Sequence, residues 1–120
     1  MQKDLRLRRS QDFSLVYTAG QSWIDSLLIL KTLPNDDHVV NRFGFAVGRR
    51  IGNAVVRNTI KRKLREAVRH VGVKNGWDMI FIARNRSKSA TQYQIKMSTI
   101  RLLKKANLLD VCHFSEDPKR

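Results

Sequence analysis

Apolar positions along the chain change their spacing several times, and each change marks an element. Between Gln11 and Ala19, Phe13, Val16 and Tyr17 recur at helical intervals. Ser10 stands where an N-cap belongs, and Gly20 follows where a helix stops. A short amphipathic helix is predicted. Ser26 to Leu33 is a strand-length run of mostly branched apolar residues, closed by the turn cluster Pro34, Asn35, Asp36 and Asp37. Arg42 to Val47 alternates, with Phe43, Phe45 and Val47 on one face and Gly44 and Ala46 on the other. These two strands are expected to pair as neighbours. The nearly bare second face suits either another chain approaching closely or tight packing under a helix.

Gly52 and Asn53 supply a loop and an N-cap, and Gly72 offers a C′ residue. Between them Val56, Ile60, Leu64, Ala67 and Val68 form one apolar stripe, predicting a helix from about Ala54 to His70. Asp78 to Arg84 reads as a buried strand and Asn85 to Ser89 as a polar, basic loop. Thr91 to Ala106 reads as a helix with Tyr93, Met97, Ile100 and Leu103 on its inner face. From about 107 to 120 a weakly ordered tail is expected, ending in SEDPKR. There is no internal repeat. The order is α-β-β, with room for one further strand, then α-β-α. This implies an α+β fold, a two-layer sandwich of a small mixed sheet with helices. A length of 120 residues accommodates one core, so 1–120 is read as a single domain.

Charge sharpens the picture. Lys and Arg number 24 against 10 Asp and Glu, a formal net charge of +14, which calls for a polyanionic partner. No apolar run approaches the roughly 20 residues a bilayer span needs. The opening MQKDLRLRRS leads into no apolar signal segment. A cytoplasmic protein with no membrane role is expected. Cys112 is the sole cysteine, so an intramolecular disulfide is excluded. His113 beside it, with His38 and His70 remote in sequence, makes no metal-ligand spacing, and no protein-held metal is expected.

On the central helix Arg57, Lys61, Arg62, Arg65 and Arg69 fall in one arc of roughly 140°, with Asn58 inside it. A merely solvated face usually mixes signs so that Glu and Lys can pair. Here Glu66 is the sole acid from Ile51 to Asn75, and like charges three and four residues apart repel. The planar fork of Arg suits phosphate contacts and stacking on bases, and Arg49 and Arg50 extend the patch. A nucleic-acid surface follows, although charge alone does not choose between DNA and RNA. A nuclease working by its own side chains would need clustered carboxylates or a His pair. The acids are scattered, with Asp36 and Asp37 adjoining in a turn, so no catalytic residue is expected. A DNA-binding regulator lacks support from helix-turn-helix spacing, because strand-like segments flank the basic helix. A ribosomal protein or general RNA chaperone would share the charge and size.

The stretch GRRIGNAVVRNTIKRKLRE, from Gly48 to Glu66, resembles the signature of the bacterial ribonuclease P protein subunit. RRSQDFSLVYTAG resembles that family's first helix and DMIFIAR its later strand. The specific spacing from Arg57 to Glu66 argues against the ribosomal alternative. The resemblance implies a left-handed βαβ crossover and a non-catalytic subunit of an endonuclease ribonucleoprotein. Such a subunit binds a catalytic RNA and promotes removal of the 5′ leader from precursor tRNA. The catalytic RNA would meet Arg49, Arg50, Arg57, Asn58, Lys61, Arg62, Arg65 and Arg69. The leader would lie in a cleft carrying Phe13, Tyr17, Lys31, Phe43 and Arg84. Tyr17 stands where Phe is common in the family, and Lys31 where some members have an aromatic residue. Mg2+ would be held chiefly by the RNA, with no organic cofactor and no obligatory protein partner.

Overall fold

The computed structural model describes residues 10–35 and 41–110. The elements are α1 (Ser10–Ala19), β1 (Gln21–Ile24), β2 (Leu28–Pro34), β3 (Arg42–Ala46), α2 (Ala54–Arg69), β4 (Trp77–Ala83), a 3-10 helix (Asn85–Ser89) and α3 (Gln92–Lys105). This is the expected α+β order with the further strand present. That strand, β1, is four residues long with its two apolar residues, Trp23 and Ile24, adjoining rather than alternating, which hides it from a periodicity reading; antiparallel pairing with β2 makes it.

The sheet order is β1-β2-β4-β3, with β3 parallel to β4 and the other pairs antiparallel. The expected pairing of β2 with β3 is therefore wrong, because β4 lies between them. Five consecutive residues of β4, Met79 to Ala83, are apolar, so both of its faces must be covered and it takes an interior place. A parallel β3–β4 pair needs a crossover, and α2 provides it. Register in that pair is pinned by charge. Arg42 stands opposite Asp78, donating from Nε to Oδ1 at 2.9 Å and from Nη2 to Oδ2 at 2.7 Å. The two-pronged geometry survives only in this register.

The main core lies between one sheet face and the helices α2 and α3. Leu28, Leu30, Phe43, Met79 and Phe81 from the strands meet Ile60, Leu64, Ala67, Ile95, Leu102 and Leu103. The opposite face carries a smaller cluster in which Val16 of α1 packs with Ile80, alongside Phe13, Leu33, Ala46 and Ile82. Gly44 decides how α1 lies there. A Cβ at that position would stand 2.6 Å from Phe13 Cζ, so the bare face of β3 serves tight packing under a helix. Arg42 Nη1 also reaches Asp12 Oδ2 at 3.4 Å, tying α1 to the same edge.

Local signals at the helix ends hold in part, since Ser10, expected as an N-cap, is itself the first residue of α1. Asn53 caps α2 by accepting from Val56 N at 3.0 Å, and Thr91 and Gln94 form a reciprocal capping box on α3. The C-terminus of α2 differs from expectation. His70 is its C-cap, so Gly72 lies one residue past C′, and it does not adopt positive φ. Its carbonyl instead accepts from Asp110 N at 2.8 Å. That contact belongs to a second difference. Residues 107–110 are packed, with Leu108 and Leu109 buried and Leu109 bridging Val73. The rest of the expected weak tail, 111–120, lies outside the described residues, as do Asp36, Asp37, His38, Cys112 and His113.

The inner face of α3 is also rotated from the predicted one. Ile95, Ser98, Thr99, Leu102 and Leu103 are fully buried, Ile100 nearly so and Met97 partly, whereas Tyr93 is 69% exposed. Two polar residues occupy the buried stripe because their hydroxyls are satisfied. Ser98 Oγ donates to Asp25, and Thr99 Oγ1 donates to Ile95 O at 2.9 Å. The expected basic loop at Asn85–Ser89 is one 3-10 turn with Ser87 buried.

Candidate nucleic-acid interface

The apolar stripe of α2 fixes which of its cations face outward. Ile60, Leu64, Ala67 and Val68 are buried against the sheet and α3, leaving Asn58, Arg62 and Arg69 exposed. Arg57, Lys61 and Arg65 are half-buried along the edge of the stripe. Their aliphatic stems can cover apolar surface while their heads stay outward. Arg49 and Arg50 are exposed in the turn before the helix.

Among the described residues, no carboxylate lies within ion-pair distance of Arg49, Arg50, Arg57, Lys61, Arg62 or Arg65. Arg57 Nε donates to Gly52 O at 3.1 Å, which folds it against the capping loop, and Arg62 Nη2 reaches Thr59 Oγ1 at 3.4 Å. Arg65 Nε is buried with no acceptor. Arg69 differs from the others, because Glu66 Oε1 lies 3.4 Å from its Nη1. The same carboxylate meets His70 Nε2 at 2.6 Å, and that hydrogen bond is the main reason the Glu66 carboxyl titrates lower than usual. The unpaired charge is thus concentrated on the N-terminal three turns of α2 and the turn before it.

A second region lies beside α1. Register places Ser22, Lys31, Ile80 and Gly44 in one row across the four strands and Ile24, Ile29, Ile82 and Ala46 in another, all on the α1 side. Val16 and Phe13 pack over the first row, at Ile80 and Gly44. At its other end Lys31 Nζ lies 5.8 Å from the centre of the Tyr17 ring and donates to Ser22 Oγ at 2.9 Å. Tyr17 is 40% exposed, and partial burial raises the pKa of its hydroxyl. In the second row Ile24 is 58% exposed and the other three are half-buried. The result is a shallow apolar floor with an aromatic ring and a cation beside it, a combination suited to flat bases joined by phosphates.

Comparison with known proteins decides the family: the ribonuclease P family model matches residues 1–107. The chain belongs to the ribonuclease P protein family. It is 39% identical over 111 residues to the ribonuclease P protein component of Clostridium novyi, covering 90% of this chain and 98% of that one. Identity to the same component of Dehalococcoides mccartyi is 39% over 109 residues, covering 91% and 90%. The RNase P protein of Staphylococcus aureus superposes with a TM-score of 0.80 at 33% identity, over 88% of this chain and 98% of that one. That of Thermotoga maritima superposes at 0.74 with 27% identity, over 83% and 96%.

Within this ribonuclease P fold, the residues read from sequence gather unevenly. Arg57, Asn58, Lys61, Arg62 and Arg65 share the helix face assigned to them. Phe13, Tyr17 and Lys31 meet on the α1 side of the sheet. Phe43 does not join them. It is 8% exposed and belongs to the main core on the opposite face, because successive strand residues point opposite ways. Arg84 lies beyond the end of β4, with Nη1 donating to Asp25 O at 2.8 Å. The row Ile24, Ile29, Ile82 and Ala46 was missed in the sequence, since it emerges only once four strands are in register. Among the described residues no helix is long and apolar enough to cross a membrane, and no three His, Cys, Asp or Glu side chains cluster as a metal site.

Proposed function

We propose that this chain is the protein subunit of ribonuclease P, binding the catalytic RNA through α2 and the 5′ leader of precursor tRNA along the open sheet face beside α1. The observation that carries the reading is the acid-free cationic flank of α2, on a chain that belongs to this family. The relatives are named as protein components of ribonuclease P, which supports a partner RNA. The RNA performs the hydrolysis; the protein contributes binding energy and position. Its cations offset the repulsion between the substrate and RNA backbones. Along the sheet, Tyr17 and the apolar row accept unpaired leader bases at about 1 to 3 kcal/mol for each base stacked on an aromatic ring, with little dependence on base identity. Such tolerance suits many precursors. Mg2+ is held by RNA phosphates in this reading, the subunit works in the cytoplasm, and no other protein is needed.

The test is multiple-turnover cleavage of a 5′-extended precursor tRNA by a bacterial ribonuclease P RNA at low Mg2+, with and without the chain. Stimulation that disappears when Arg57, Arg62 and Arg65 are neutralised together is expected. Absence of stimulation with several such RNAs would reduce the chain to a general RNA-binding protein, and cleavage by the chain alone would place catalysis in its side chains.

A further inference from the structure

From Met79 to Leu109 the chain holds seven Lys and Arg and no Asp or Glu, and the surfaces described above use only Arg84 among those cations. A groove of about 700 Å³ runs between the β1–β2 turn, the 3-10 helix and the first half of α3. Leu27 and Met97 contribute apolar lining, Arg86 and Arg101 contribute charge, and Tyr93 stands beside them with 69% of its surface exposed.

The neighbouring acid offsets one of the groove's two cations, Arg101, and leaves Arg86 uncompensated. The carboxylate of Asp25 already receives Nε and Nη2 of Arg101, at 3.3 and 2.9 Å, together with the hydroxyl of Ser98. Arg101 is thereby held in one orientation on the wall. Arg86 has no acid partner among the described residues.

The groove is distinct from the cationic arc of α2. Lys63 points to the other side of that helix, where its Nζ donates to Ala90 O at 3.0 Å, and Gln92 Nε2 donates to Lys63 O at 2.9 Å. The groove's rim is therefore fastened to the flank of α2 turned away from Arg62 and Arg65.

We propose that this groove is a second RNA contact, accepting an unpaired nucleotide with its base on Tyr93 and its flanking phosphates at Arg86 and Arg101. The inference rests on the reading of the chain as an RNA-binding subunit. An exposed ring in a groove lined by one fixed and one free guanidinium group matches a polymer that alternates flat bases with phosphates. An acidic polypeptide would meet the charge and leave the ring unused.

The experiment uses the full chain with a short single-stranded oligoribonucleotide carrying 4-thiouridine, read by photo-crosslinking and by affinity, with polyglutamate as competitor. A cross-link at Tyr93 is expected, with affinity about tenfold weaker in Tyr93→Ala and retained in Tyr93→Phe. Arg86→Ala should weaken binding too, and the cross-link should persist when Arg57, Arg62 and Arg65 are all replaced by Ala. A Tyr93→Ala chain that folds and binds like the parent, with no cross-link in the groove, overturns the inference. If the triple α2 variant loses RNA in that case, the proposed function stands without it. Loss of binding in the groove variants with none in the α2 variant supports the groove as the site that takes single-stranded RNA. Polyglutamate displacing the oligonucleotide equally from parent and Tyr93→Ala assigns the groove to acidic polypeptide and also overturns the inference.

Discussion

Adjacent side chains on α2 have opposite duties. Leu64 is wholly buried in the main core, while Arg65 lies half-buried at the edge of the cationic face. Leu64→Ala is expected to cost roughly 2 to 5 kcal/mol of stability by leaving a cavity. Arg65→Ala should weaken RNA assembly with folding nearly intact, as denaturant titration beside an RNA-binding assay would show. Equal loss of stability in both would contradict the observed orientation of the helix. Gly44 offers a sharper residue-level test, because a methyl group there collides with the Phe13 ring. Gly44→Ala should destabilise by about 1 to 3 kcal/mol, and Phe13→Ala in the same chain should recover part of that loss in a double-mutant cycle. Additive losses would show that the ring already has room to move. The alternation of β3 was legible in sequence, but whether a helix or another chain would use its bare face was decided by where α1 docked.

Between elements, small polar clusters fasten joints that hydrophobic packing leaves loose. Asp25 in the β1–β2 turn receives Arg101 and Ser98 from α3, and the Arg101 hydrogen bonds are the main reason its carboxyl titrates below the usual range. A depressed carboxylate contributes its full stabilisation above the ordinary Asp pKa, and the contribution is lost as pH falls through the depressed value. The parent should therefore lose stability on acidification through that range. Asp25→Asn should be less stable at neutral pH and show a smaller acid-dependent loss, read as melting temperature against pH. An unchanged profile would assign the acid sensitivity to other carboxylates. The same joint explains why the α3 face was misjudged from sequence. A buried Ser98 counts as polar in a periodicity reading, and its partner Asp25 is 73 residues away in the chain. The cap read at Asn53 suffered less, since its side chain acts on backbone only three residues ahead.

For the molecule as a whole, a net charge of +14 makes RNA binding strongly dependent on salt. Neutralising Arg57, Arg62 and Arg65 together should reduce the slope of log affinity against log salt by about 2 to 3, as expected when each contacts one phosphate. An unchanged slope would mean that those side chains touch no phosphate. What the amino-acid sequence determined alone was carried by near neighbours: most of the helix and strand periods, the N-cap at Asn53, the single-signed arc of α2 and the motif from Gly48 to Glu66. These depend on spacings of a few residues, so they can be read along the line. Tertiary structure decided the rest. It placed β4 between β2 and β3, turned Phe43 into the core and Tyr93 outward, drew Leu108 and Leu109 inward, and aligned Ile24, Ile29, Ile82 and Ala46 across four strands. Each of those outcomes depends on burying both faces of one sheet at once, a condition that couples residues far apart in the chain and leaves little local trace.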